Sequence, residues 1–121
     1  TEKMVNLDYL DTLTGGDFDV KVMMLETLVR DLPGEIDKVV ADFNDKDWES
    51  LKQSSHKIKS TCAYIGLKDM EGVAKTIEHN AWERKDLDKL EPLVRQLANV
   101  CRKGHKELIG ELNALQMSQN G

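Results

Sequence analysis

The chain has 121 residues, 40% hydrophobic and 32% charged, which suits one soluble domain around a single core. A net charge of −5 with no basic run longer than two residues excludes a phosphate-backbone binder, and no apolar segment nears the roughly 18 residues that span a membrane. Cys62 and Cys101 are the only cysteines; they read as buried, reduced thiols of a cytoplasmic protein with no signal peptide, too few for a disulfide framework.

Apolar residues recur at spacings of three and four throughout, the pattern of amphipathic helices, and no strand signal appears. Asn6 is positioned to cap a short first helix with Leu7, Leu10 and Leu13 on one face. Gly15-Gly16 stops it and Asp17 starts the next. In the second helix Phe18, Val22, Leu25, Val29, Leu32, Ile36, Val39 and Phe43 keep one register. Pro33 falls inside that run, where it removes a hydrogen bond and clashes with the preceding turn. The unbroken register predicts a kinked continuous helix rather than two.

Asn44 to Asp47 forms a polar connection. The third helix turns Trp48, Leu51, Ser55, Ile58, Cys62 and Ile65 inward, and Gly66 ends it in the left-handed conformation that glycine tolerates. The fourth carries Met70, Val73, Ala74, Ile77 and Ala81, with Trp82 at the edge of the stripe. Lys85-Asp86 marks a turn. The last helix carries Leu90, Val94, Leu97, Cys101, Leu108, Leu112 and Leu115, with Pro92 in its first turn. Gly104 lies near that stripe, where it allows a close neighbour or weakens the helix. The tail from Gln116 is expected to fray. Four amphipathic helices with short connections bury their stripes most simply as an all-α, antiparallel four-helix bundle capped by the short N-terminal helix. The whole of 1–121 reads as one domain, with its core at about residues 7–115 and no internal repeat.

His56 falls outside the apolar stripe of the third helix. At about 100° per residue, Lys52, Lys59, Ser60 and Ala63 lie beside it, whereas adjacent Lys57 points elsewhere, onto the solvent face. Most exposed histidines are simply solvated. Here Lys59, one turn on, offers an ammonium that can balance a phosphoryl group on the imidazole. Ser60 and Ala63 are small enough to let a partner approach. Ser54, Ser55, Ser60 and Thr61 also make this helix poor in strong helix formers, which points to packing or access.

The run His56-Lys57-Ile58-Lys59 followed by Gly66-Leu67 resembles the signature of histidine-containing phosphotransfer (HPt) domains of two-component phosphorelays. The resemblance extends to the proline within the second helix, the Ile77-Glu78 segment and the Asp86 to Leu97 opening of the last helix, so it covers roughly Leu7 to Leu115. It implies that His56 is the phosphorylated residue and that Lys59 balances the phosphoryl charge. Ser60 stands where the family usually has glycine, keeping the side chain small, and Gly66 matches the closing glycine. Glu78 stands where some members have a glutamine that touches the histidine. A carboxylate there can hold the Nδ1 proton and leave Nε2 as nucleophile, yet it also repels a phosphoryl group.

The resemblance further implies a donor and an acceptor that are both receiver domains of response regulators, with a hybrid sensor histidine kinase as a further partner. A neutral imidazole is needed for attack, and a free one titrates at about pH 6.5. No cofactor is expected in this chain, because the receiver brings the divalent metal, and no glycine-rich phosphate loop is present. The chain is thus expected to be a stoichiometric, monomeric carrier rather than an enzyme. Its docking face is expected on the second and third helices around His56, with Leu13, Met23, Met24 and Lys52 as contacts, although methionines also serve as core fillers. A helical module that binds a receiver without transfer is the alternative. His56, His79 and His105 lie on three helices without metal-ligand spacing, so no metal site is expected. The acidic residues spread over solvent faces, which disfavours a paired-carboxylate hydrolase.

Overall fold

The computed structural model describes residues 3–120, an irregular N-terminal stretch (3–7) followed by helices joined by short connections: α1 (Asp8–Thr14), α2 (Phe18–Asn44), α3 (Trp48–Tyr64), α4 (Lys68–Glu83), a 3-10 turn (Leu87–Lys89) and α5 (Leu90–Asn120). Each of α2 to α5 packs on two of the other three, α2 on α3 and α5, and α4 on α3 and α5. With connections of three residues between α2 and α3 and between α3 and α4, this is the layout of an up-and-down four-helix bundle. Leu25, Leu32, Leu51, Ile58, Ile77, Leu90, Leu97 and Leu108 fill its centre. Cys62 and Cys101 are fully buried free thiols whose sulfurs lie 3.7 Å apart. The hydrogen bond between them, and then burial, push the Cys62 thiol far above its ordinary range.

Helix ends follow their capping residues. Asp17 accepts from the Val20 amide and Asp47 from the Ser50 amide, each satisfying a donor that the first turn leaves free. Asn6 does not occupy the cap of α1 itself: Leu7 does, and Asn6 Oδ1 accepts from the Asp8 amide at 2.8 Å. α2 is continuous through Pro33. Phe43 and Trp48 pack edge to face across the next connection. α5 stays helical past Gln116 to Asn120, where fraying was expected; Gly121 lies outside the described residues.

The N-terminal segment closes one end of the bundle. Its Val5 and α1's Leu10 are buried, and both the Met4 and Val5 amides donate to the Glu107 carboxylate on α5. The Asn6 amide donates to the Ile65 carbonyl at 2.9 Å. That crossing explains Gly66 twice over. Its φ is +75°, and a Cβ there would stand 2.5 Å from the Asn6 carbonyl oxygen. Gly104 likewise lets Leu67 and Val5 approach α5 closely.

Trp82, at the edge of the α4 stripe, is 65% exposed, and Leu10 alone of the α1 stripe is fully buried; Leu13 leaves the face it was expected to share with Leu10 and turns outward, where it stays free for a partner. A short helix meets the bundle along one narrow line, so only its central apolar residue goes under.

Candidate functional site

α3 holds His56 and Lys59 one turn apart, and α4 brings Glu78 across to both. Glu78 Oε2 lies 2.8 Å from His56 Nδ1, and Oε1 accepts from Lys59 Nζ at 2.7 Å. The pairing follows from packing. Ile58 and Cys62 on α3 and Ala74, Ile77 and Ala81 on α4 are buried, which sets the exposed flanks of the two helices side by side. Ala74 and Ala81 keep the contact close.

The His56 side chain is 62% exposed, whereas those of Lys59 and Glu78 are about one quarter exposed (25% and 23%). The imidazole is therefore anchored at one nitrogen and open at the other: among the described residues Nε2 has no hydrogen-bond partner. Partial burial pushes the Glu78 carboxyl up. Hydrogen bonds from Lys59 and His56, and their charges, outweigh that and hold it below the ordinary carboxylate range. The carboxylate is thus ionised at neutral pH and prefers the tautomer with its proton on Nδ1.

The remaining expected residues are placed as follows. Ser60 is exposed and Ala63 half-buried on the same side of α3, beyond which Tyr64 stacks on Tyr9 of α1 with ring centroids 6.0 Å apart. Lys52, one turn before His56, is paired with Glu49 at 3.0 Å. Lys57 lines the groove towards α2 with Asp31, Glu35 and Ser54. His56 leans on α4 through Glu78, as the resemblance implies, and its exposed side remains open beside α3. Leu13 and Met23 are exposed (47% and 66%) on α1 and α2. Met24 is half-buried against the core, one register step round from Met23, so it fills the core edge. The low helix propensity of α3 has a packing cause at Ser54, Ser55 and Thr61, all buried, with Thr61 donating to Glu35 at 2.6 Å. His79 pairs with Glu83, and His105 with the Val29 carbonyl, so the three imidazoles have separate partners.

The Lys59–Glu78 ion pair and the Tyr9–Tyr64 stack were not anticipated. Glu78 itself was expected at the histidine from the resemblance, and its place one residue after buried Ile77 makes it a stripe-flanking position as well.

A family model described as the Hpt domain matches residues 23–117. Among solved structures, the HPT domain of the Hpt sensor hybrid histidine kinase from Shewanella superimposes with a TM-score of 0.79 at 20% identity, covering 92% of this chain and 95% of that one. No curated protein matches significantly.

Proposed function

As a member of the Hpt domain family the chain is a phosphorelay carrier, and we propose that His56 is the residue that carries the phosphoryl group. The observation that supports this is the exposed imidazole held at Nδ1 by Glu78 with Nε2 open. Nε2 attacks the phosphorus of a phospho-aspartate on a receiver domain. The N–P bond forms as the acyl O–P bond breaks, and the bonding pair leaves with the aspartate carboxylate. The divalent metal belongs to the receiver, where it balances charge during in-line transfer. A second receiver takes the group by the reverse chemistry.

Lys59 balances the phosphoryl charge. In the resting state its ammonium is on Glu78, so phosphorylation sets the phosphoryl oxygens in competition with that carboxylate. Ser60 and Ala63 leave room for the partner's active-site loop. The chain works as a monomeric, stoichiometric carrier in the cytoplasm, with a hybrid sensor kinase upstream. No helix among the described residues is long and apolar enough to cross a membrane.

Incubation with a phosphorylated receiver tests the assignment. Acid-labile, base-stable label is expected on the wild type and not on His56→Gln. Label retained by His56→Gln, or binding without label on either protein, overturns it.

A further inference from the structure

We infer, resting on the reading of His56 as acceptor, that Trp82 is the apolar anchor by which a receiver domain grips the α4 flank of the site, so that the docking face extends across α4 as well as α3. Its position relative to the reactive ring carries this. Trp82 lies four residues after Glu78, on the same side of α4 and about 6 Å along its axis, and Glu78 is bonded to His56. Joined by a three-residue connection, α3 and α4 run in opposite directions, so the step from Glu78 to Trp82 matches the step from His56 back to Lys52. The charges agree: Lys52 chiefly, and Arg84 from just past the end of α4, hold the Glu49 carboxyl in the first turn of α3 below its ordinary range.

The indole is 65% exposed. The buried stripe of α4 is complete without it, in Met70, Ala74, Ile77 and Ala81. Trp48, the other tryptophan, is half-buried and packs on Phe43. The backbone beneath Trp82 is pinned. Arg84 ends α4 in the left-handed conformation at φ +56°, and its guanidinium donates to the Ala81 carbonyl and, at 3.4 Å, to the Trp82 carbonyl. A large apolar ring on a fixed helix end gains contact area at little entropic cost, and tryptophans so placed carry much of the energy of an interface.

The place of the ring selects a receiver as its occupant. In every transfer a receiver must bring its aspartate to Nε2, and a standard interface covers about 800 Å² of each partner, a disc of roughly 16 Å radius. One helix across and less than one turn along, Trp82 stands about 10 Å from His56, inside that disc. It lies towards Lys52, on the side of the imidazole away from the Tyr9–Tyr64 stack, so the two aromatic features flank the ring. Anything else seated on the indole would have to leave before an aspartate could reach Nε2. Charged neighbours are already paired, Lys52 with Glu49 and His79 with Glu83. The grip on this flank is therefore apolar and should persist in high salt, which screens charge but not burial.

The test uses the full chain and a receiver that exchanges label with wild type. With its two tryptophans replaced by 5-fluorotryptophan, the chain gives two fluorine NMR signals, assigned with Trp82→Phe. Titration with unlabelled receiver should shift or broaden the Trp82 signal. Trp82→Ala should raise the KM for transfer from the phosphorylated receiver by about 10- to 30-fold, at low and at high salt, and Trp82→Phe should recover part of that loss. Each rate is normalised to labelling of the same protein by phosphoramidate, a donor too small to reach Trp82. An unmoved Trp82 signal at saturation, or an unchanged KM, overturns the anchor. So does a signal that moves with the concentration of this chain alone, which would seat a second copy there. Absence of label from wild-type His56 removes the acceptor reading, and the anchor with it.

Discussion

His105 Nε2 lies 2.8 Å from the carbonyl oxygen of Val29, the acceptor that Pro33, four residues on, cannot serve because it has no amide hydrogen. A side chain from α5 thus replaces a backbone bond missing from α2, which is why the helix runs unbroken from Phe18 to Asn44. His105→Leu should cost about 1–2 kcal/mol, the range for stranding a partly buried acceptor. In a Pro33→Ala background, where an amide returns, the same change should cost less. Urea unfolding of the four proteins measures the coupling, and equal costs in both backgrounds would refute the replacement.

Gly66 and Gly15 make a matched pair. Both are left-handed, at +75° and +61°, but a Cβ at Gly15 meets nothing whereas one at Gly66 meets Asn6. Gly15→Ala should cost about 1 kcal/mol of backbone strain. Gly66→Ala should cost more than that, roughly 2–4 kcal/mol, because the strain of a left-handed residue is joined by displacement of the N-terminal segment. Melting temperatures rank the two, and equal losses would show that the crossing is unimportant.

The helices were legible because their stripes are long. Eight apolar positions in one register carried α2 through Pro33, and Asp17 marked a start that the structure uses, while Asp47, read only as part of the polar connection, turns out to cap α3. Geometry between helices was less legible. Nothing local to Lys59 says that its ammonium rests on a carboxylate 19 residues away, and nothing local to Pro33 names His105 as its complement. The sequence places Trp82 at the edge of the α4 stripe but does not say how far out it stands; with Ala74, Ile77 and Ala81 already completing the buried stripe, its ring is left in the open. His56 was legible because it breaks the stripe.

Two carboxylates flanking α3 should leave opposite marks on stability against pH. Glu78 titrates below its ordinary range in the fold, so its contribution is present above that range and is lost as pH falls through the folded value. Burial raises Glu35 above its ordinary range, and the Thr61 hydrogen bond offsets only part of that. The native state therefore holds the Glu35 proton more tightly, a gain that is present in acid and disappears as pH rises through the folded value. Glu78→Gln should flatten the loss of stability in acid, and Glu35→Gln should steepen it. Chemical unfolding across the acid range, with both variants showing the same change of slope, would contradict this assignment.

Lys59→Ala should slow phosphoryl transfer by about tenfold, a modest figure for removing one cation from a developing anion in a water-exposed site. Helix content should not change, since Lys59 lies outside the core. Added salt should narrow the difference from wild type, because mobile ions screen an exposed charge. Rapid-quench measurement at low and high salt decides the matter; equal rates for the two proteins would remove Lys59 from the transfer step.

Leu13, Met23 and Met24 separate docking from packing. Leu13 and Met23 are exposed apolar side chains on α1 and α2, and α1 is tied to the exposed side of α3 through the Tyr9–Tyr64 stack. Exposed apolar residues next to a reactive site are what a transient partner buries. Leu13→Ser and Met23→Ser should each weaken binding of a receiver that exchanges label with wild type by about 3- to 30-fold, equivalent to about 0.6–2 kcal/mol, with little change in melting temperature. Met24 packs against the core, so Met24→Ser should lower the melting temperature, and any loss of binding should track the fraction unfolded. Calorimetric titration alongside thermal unfolding tests all three. If Leu13→Ser and Met23→Ser bind as wild type does, the docking surface lies instead on the α3–α4 side of His56, where Trp82 is the large apolar residue in the open.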